Sequence, residues 1–247
     1  MKLLGLIGYP LTHSFSEGYF ANKFSSEKIS GYEYRNFPLD DISKFPDLFH
    51  EQPGLIGLNV TIPYKEKIIP YLDKLDPTAE KIGAVNTIKI IRDKGKYHLS
   101  GYNTDAHGFH HSISPFLLKT HTHALILGTG GASKAVAYVF NQLGIDYTYV
   151  SRTPSEGQIS YRDICLPVIS KNLIIVNTSP LGTFPDIDTY PDIPYDLLTP
   201  DHILYDLVYN PPETAFLRFG MQKGATCING QRMLELQAER SWEIWTG

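Results

Sequence analysis

His123-Ala-Leu-Ile-Leu-Gly-Thr-Gly-Gly-Ala-Ser-Lys-Ala-Val136 is the most informative run in the chain. Its apolar part, Ala124 to Leu127, stops at Gly128, Gly130 and Gly131, and helical spacing follows through Ala132, Ala135, Val136, Val139, Phe140 and Leu143. That pattern is strand, tight turn, helix. Glycines let the backbone take unusual dihedrals and approach a ligand closely. The N–H groups and positive end of the new helix then suit a phosphate. An ordinary strand-to-helix turn also favours glycine, but the periodicity on both flanks points to a dinucleotide site.

Downstream, Asp146-Tyr-Thr-Tyr-Val-Ser151 reads as the next strand and ends in Ser151-Arg152-Thr153. A dinucleotide fold that takes NAD usually carries an acid here for the ribose hydroxyls. Arginine in its place suits a 2′-phosphate, hence NADP. Pro154, Gly157 and Pro167 leave little room for a full helix after Arg152. Leu173 to Asn177 is a buried strand with Thr178-Ser-Pro-Leu-Gly182 as its exit loop. Ile203 to Tyr209, a turn at Asn210-Pro-Pro-Glu213, a helix from Thr214 to Gln222, a strand at Thr226–Asn229 and a closing helix from Gly230 to Trp245 complete the chain.

Upstream, Lys2 to Ile7 is a first strand, and Ser14 and Ser16 precede a helical stretch through Tyr19, Phe20, Lys23 and Phe24. Helix capping accounts for both hydroxyls from position alone; a polyol or carboxylate ligand is the alternative. Tyr32 to Phe37 reads as a strand, Ile42 to Phe49 as a helix, and Gly54 to Val60 as a third strand. The spacing predicts a helix over 61–69, with Pro63 in its first turn, which puts Lys65 where the helix dipole disfavours a cation. A solvated lysine beside Glu66 is the plain reading of that residue taken alone. Ala84 to Ile91 and Tyr97 to Tyr102 form a hairpin about Asp93-Lys-Gly95. Asn103-Thr-Asp105 opens a helix that Pro115 ends, and Asp105 either favours its N-terminus or serves a site. His107, His110 and His111 share that helix without acidic or cysteine partners, so no metal is expected. Alternation of strands and helices argues for an α/β fold with parallel sheets covered on both faces.

At 247 residues, 42% hydrophobic, the chain can bury one large core or two modest ones. A net charge of −4 with no Lys/Arg run gives no nucleic-acid footprint. Two cysteines, Cys165 and Cys227, fit a reduced, cytoplasmic protein. Met1 to Ile7 reads as a strand and not as a signal peptide, and nothing reaches membrane-spanning length.

In order and spacing the motifs resemble shikimate dehydrogenases nearly end to end. They are Ser14-Phe-Ser16, Asn59-Val-Thr-Ile-Pro-Tyr-Lys65, Ala84-Val-Asn86-Thr, Asn103-Thr-Asp105, Gly128-Thr-Gly-Gly-Ala-Ser133, Ser151-Arg-Thr153, Asn177-Thr-Ser-Pro-Leu-Gly182, Tyr205-Asp-Leu-Val-Tyr-Asn-Pro211 and Asn229-Gly230 with Gln237. The resemblance implies two α/β domains with the site in the cleft between them: a substrate domain, residues 1–104 completed by helix 230–247, and a Rossmann-like NADP domain, residues 105–229. It implies NADPH-dependent reversible reduction of 3-dehydroshikimate to shikimate, in the supply of aromatic amino acids. Lys65 and Asp105 would be the catalytic pair. Ser14, Ser16, Asn59, Thr61, Asn86, Tyr209 and Gln237 would bind substrate. Gly128, Thr129, Gly130, Gly131, Ala132, Ser133, Ser151, Arg152, Thr153, Asn177, Thr178, Ser179 and Gly230 would hold the cofactor.

The chain departs from that family after Arg152, where Thr153-Pro-Ser-Glu-Gly157 replaces the usual helix and Ser155 stands where a second arginine is frequent. A trimmed cofactor domain, a chain shorter than the family norm and weaker selectivity for NADP over NAD are the expectations. Tyr102 stands where an acid is frequent. A quinate or dual-substrate enzyme using NAD, and a non-catalytic dinucleotide sensor, are the competing readings. The expected partners are a small-molecule substrate and no nucleic acid or membrane, the protein acting as a monomer or homodimer.

Overall fold

The computed structural model describes residues 1–11 and 15–247, so the expectation for Ser14 lies outside the described residues. The chain divides into two compact units, one of Met1–His107 with Gln237–Gly247 and one of Gly108–Leu236.

The first unit holds β1 (Lys2–Gly8), α1 (Phe15–Ser26), β2 (Tyr32–Pro38), α2 (Leu48–Glu51), β3 (Leu55–Val60), β4 (Lys74–Leu75), α3 (Pro77–Ile82), β5 (Thr87–Asp93) and β6 (Lys96–Tyr102). Its sheet runs β2-β1-β3-β5-β6-β4. β1 lies parallel to β2 and β3, whereas β5 is antiparallel to both β3 and β6. The sheet is therefore mixed, because Lys94 (φ 47°) and Gly95 (φ 81°) turn β5 straight back into β6. Two positive-φ residues make the tight turn that suits strand twist. β1 is buried on both faces: Leu3 and Ile7 join one core, and Leu4 and Leu6 join another with Phe20, Tyr34, Ala238 and Trp245.

Two expected helices fail, for one reason. Residues Ile42–Asp47 form a 3₁₀ helix and only one α turn follows. Pro46 has no N–H to bond the carbonyl of Ile42. Residues 61–68 form turns and run into a 3₁₀ segment at Ile69–Tyr71. Ile68 donates to Tyr64 O at 2.9 Å, but Pro70 cannot donate to the carbonyl of Glu66. Lys65 thus sits in a turn, and the dipole argument for it is overturned.

α4 (Thr104–Ile113) starts one residue before Asp105. The second unit then adds β7 (His123–Leu127), α5 (Gly131–Leu143), β8 (Asp146–Ser151), β9 (Ile159–Ser160), α6 (Leu166–Lys171), β10 (Ile174–Asn177), β11 (Ile203–Asp206), α7 (Ala215–Gln222) and β12 (Thr226–Ile228), and α8 (Gln231–Thr246) closes the chain. Its sheet is wholly parallel in the order β12-β11-β10-β7-β8-β9. Numbered from β7, that is the 3-2-1-4-5-6 order of dinucleotide-binding sheets, with the switch point between β7 and β10. One face packs Leu125, Leu127, Val150, Ile175 and Leu204 against Phe216 and Leu217 of α7. On the other, Phe109 of α4 meets Phe140 of α5 and Tyr205 edge-on. β8 passes to β9 with no helix between them. Parallel neighbours usually need a crossover of about a dozen residues or more, so this link is unusually short. No helix among the described residues is long and apolar enough to cross a membrane.

Candidate active site

In the first unit a polar cluster gathers at the end of β3, the start of β5, the start of α4 and one face of α8. Lys65 is anchored through its own carbonyl, which accepts from Val85 N–H at 2.7 Å. Its Nζ stands 2.6 Å from Oδ2 of Asp105, and the two side chains are 17% and 9% exposed. Asp105 lies in the first turn of α4, where a negative charge is favoured. Asn103 caps that helix: its Oδ1 accepts from Ala106 N–H at 3.1 Å, and its Nδ2 donates to Ala84 O at 2.9 Å.

Asn86 engages the other oxygen of Asp105, Nδ2 to Oδ1 at 2.8 Å. Its amide orientation is set by Thr104, whose backbone N–H donates to Asn86 Oδ1 at 2.7 Å. Gln237 of α8 accepts at Oε1 from Asn86 Nδ2 and Thr104 Oγ1, each at 3.3 Å. Asn59 is buried; its Oδ1 accepts from the Tyr34 phenol at 2.8 Å, and its Nδ2 faces Ser241 Oγ at 3.0 Å and Thr87 Oγ1 at 3.2 Å. Burial pushes the Tyr34 phenol well above its ordinary range, so it stays a donor, while its hydrogen bond with Ser16 pulls the other way. Tyr34, Asn59, Thr87, Thr104, Asn86, Asp105 and Lys65 are thus joined by one continuous set of hydrogen bonds. Thr61, half-buried, follows β3 and donates its N–H to Ile7 O at 2.9 Å.

Tyr34, Thr87, Thr104 and Ser241 escaped the sequence reading. Thr87 and Thr104 each follow a motif asparagine, and Ser241 is one helical turn beyond Gln237, a spacing that could have found it. Tyr34 carried no such signal, since only strand pairing brings β2 beside β1 and Asn59.

In the second unit the glycine-rich turn lies at the carboxyl end of β7. Gly128 has φ 117°, and a Cβ there would stand 2.8 Å from Thr178 Oγ1, which itself donates to Leu127 O at 2.9 Å. Gly130 is exposed, and a Cβ on it would point into open space. The first N–H groups of α5, around Gly131 and Ala132, have no intrahelical partner. Ser133 is buried and bonds Gly130 O at 2.6 Å. At the end of β8, Ser151 Oγ accepts from Thr153 N–H at 3.2 Å, while Arg152 and Thr153 are exposed. Burial raises the Tyr161 phenol, and the nearby Arg152 charge opposes that shift.

The Asn177 side chain is fully buried, accepting from Ser179 N–H and Oγ at 3.0 and 2.6 Å and donating to Asp206 Oδ1 at 2.9 Å. It shapes the loop that carries Thr178 and Ser179. Gly230 donates to Val208 O at 3.0 Å and passes so near Leu207 that a Cβ would lie 2.2 Å from its carbonyl oxygen. Tyr209 is half-buried in the second unit, after β11. His110 and His111 stack edge-on at 5.0 Å, and burial, with His111 adding, lowers the His110 value. Among the described residues no group of three His, Cys, Asp or Glu side chains is placed to hold a metal.

A six-stranded parallel sheet in this order, with a glycine-rich turn at its switch point, defines an α/β protein of the dinucleotide-binding class. The comparisons narrow that class. A family model for the shikimate dehydrogenase substrate binding domain matches residues 6–88. The shikimate dehydrogenase (NADP(+)) of Halothermothrix orenii is 39% identical over 276 aligned positions, covering 100% of this chain and 91% of the relative. Shikimate 5-dehydrogenase of Thermus thermophilus, solved with NADP(H) and shikimate, superposes with a TM-score of 0.85 at 30% identity, covering 100% of this chain and 93% of that one. Quinate dehydrogenase of Corynebacterium glutamicum, solved with NAD, gives 0.86 at 27% identity over 100% and 94%. The chain belongs to the shikimate dehydrogenase family.

Proposed function

We propose that this protein is an NADP-dependent shikimate dehydrogenase, interconverting 3-dehydroshikimate and shikimate. The observation that carries the reading is the 2.6 Å pair of Lys65 and Asp105, set within a polar cluster of the unit that contains the matched substrate domain. When bound, the nicotinamide supplies or accepts the hydride. The residues of this chain do the rest. A ketone oxygen gains negative charge as its carbon is reduced, and Lys65 Nζ meets that oxygen with a cation and a proton. In the reverse direction Lys65 takes the hydroxyl proton. Asp105 orients the ammonium, and Asn86 in turn orients Asp105. Ser14 and Ser16 hold the substrate carboxylate. Thr61 and Gln237 bind ring hydroxyls, with Asn59 and Asn86 shaping the pocket, and Tyr209 is a further candidate for substrate.

The turn around Gly128–Ser133 fits a dinucleotide pyrophosphate, because Gly130 leaves open space where a side chain would stand and the helix N-terminus favours an anion. Arg152, with Ser151 and Thr153, would hold the 2′-phosphate of NADP. Thr178, Ser179 and Gly230 line the nicotinamide side, with Asn177 fixing the loop. We read the unit of Met1–His107 with Gln237–Gly247 as the substrate unit and that of Gly108–Leu236 as the cofactor unit, close to the expected bounds of 1–104 with 230–247 and 105–229. We place the enzyme in the cytoplasm, as a monomer or homodimer.

A quinate enzyme using NAD is the second reading, because Arg152 is the sole arginine of the loop between β8 and β9 and the quinate dehydrogenase solved in complex with NAD shares the fold. One ring hydroxyl more or less changes few contacts. The deciding experiment measures kcat/KM for shikimate and quinate, each with NADP and NAD. Shikimate with NADP is expected to lead; no turnover of either acid would overturn the proposal.

A further inference from the structure

Ser241 lies within the closing helix α8 and is fully buried, yet it is the meeting point of the polar cluster. Its hydroxyl faces Thr87 Oγ1 at 2.8 Å, Asn59 Nδ2 at 3.0 Å and Thr104 Oγ1 at 3.2 Å, and donates to the main-chain oxygen of Gln237 at 2.9 Å. A hydroxyl has one proton and two lone pairs. With the Ser241 proton committed to Gln237 O, its oxygen accepts from Asn59 and Thr87. The Thr87 proton is then spent on Ser241, and the Thr104 proton has Asn86 Oδ1 and Thr87 Oγ1 at 3.2 Å and Gln237 Oε1 at 3.3 Å as acceptors, Gln237 Oε1 also accepting from Asn86 Nδ2 at 3.3 Å. Gln237 Oε1 therefore faces inward as an acceptor. Its Nε2 has no partner among the described residues, and it is not a sealed, unsatisfied atom. Among the described residues that amide is a donor pair of the cluster with no protein partner.

We propose that Ser241 is a positioning residue for substrate binding. It sets the direction of the buried hydroxyl network so that Gln237 presents N–H groups, and not its oxygen, to the ring hydroxyls. The inference rests on the shikimate dehydrogenase reading. Without the Ser241 oxygen, the Thr87 proton has only Asn86 Oδ1 and Thr104 Oγ1 within reach, both at 3.2 Å. It then competes with the bonds that hold Asn86 and Gln237 in their orientations.

The test is steady-state kinetics of the full-length protein, parent against Ser241→Ala and Ser241→Cys, with shikimate and NADP varied separately. Ser241→Ala is expected to raise KM for shikimate about tenfold, the scale of a misdirected buried hydrogen bond. KM for NADP is expected to stay level and kcat to change less than about threefold. Cysteine fills the space but is a weak donor and acceptor, so Ser241→Cys is expected to match the alanine variant. A cysteine variant with parental KM would overturn the proposal, because packing alone would then explain the residue. So would an alanine variant within twofold of the parent. Should the alanine variant not fold, the cysteine variant decides alone. A parent that turns over neither acid overturns the functional reading and this inference with it, whereas a silent Ser241 in an active parent overturns only the inference.

Discussion

Lys65 Nζ and Asp105 Oδ2 are 2.6 Å apart although forty residues separate them in the chain. Neither residue is placed by its own segment alone. Lys65 is pinned where Val85 N–H meets its carbonyl, just before β5. Asp105 is set by the start of α4, just after β6. The β5–β6 hairpin brings those two ends together, since Thr87 pairs with Tyr102.

If Lys65 delivers the proton, its removal takes away an interaction made mainly in the transition state. Lys65→Ala is expected to lower kcat by about 10³-fold with a much smaller change in KM. Steady-state kinetics with saturating NADP checks this. Retained turnover with a raised KM would reduce Lys65 to a substrate contact.

Asp105→Asn keeps the shape of the side chain but not its acceptors. One oxygen faces Lys65 and the other faces Asn86 Nδ2, so the new amide must turn N–H groups toward a donor on one side. A fall in kcat of about 10²-fold is expected, in a variant with the parental circular dichroism spectrum. Kinetics within threefold of the parent would show that the carboxylate does not orient the lysine.

Arg152 is exposed just after β8, and the segment between β8 and β9 holds no helix and no second arginine. Arg152→Ala is expected to raise KM for NADP about tenfold or more while leaving KM for NAD nearly unchanged. Equal effects on both cofactors would remove Arg152 from 2′-phosphate recognition.

Burial pushes the carboxyl of Asp206 up to about 6, and the hydrogen bonds from Thr214, Val208 and Asn177 pull it back only in part. The folded value lies above the ordinary value of 3.8. Between the two the folded state holds a proton that the unfolded chain releases. The contribution is complete below the unfolded value and is lost as pH rises through about 6. Stability of the parent relative to Asp206→Asn is expected to fall by about 2–3 kcal/mol between pH 4 and pH 7. Urea titrations of both proteins across that range measure it, and a flat or rising difference would refute it.

Local pattern carried the reading of β7, its glycine turn and α5, because strand and helix periods meet there in consecutive residues. The hairpin at Lys94-Gly95 was legible for the same reason. The helices expected at 42–49 and 61–69 were not, because apolar spacing says nothing about the donors that Pro46 and Pro70 lack. A dinucleotide turn and an Arg152 end-of-strand residue followed from the amino-acid order, whereas the list of motif side chains around Lys65 and Asp105 came from the resemblance to shikimate dehydrogenases.

What those side chains touch was settled only by the fold. Asn59, Asn86 and Asn177 look alike in their motifs, yet each is fully occupied by buried protein partners. Ser241 and Tyr34 enter the cluster from α8 and β2, far away in sequence. Local order specifies backbone periods and turn chemistry, whereas hydrogen-bond partners depend on which strands pair and which helix covers them. That is why the elements and candidate groups could be read from the chain, and the direction of every bond among them belonged to the tertiary structure.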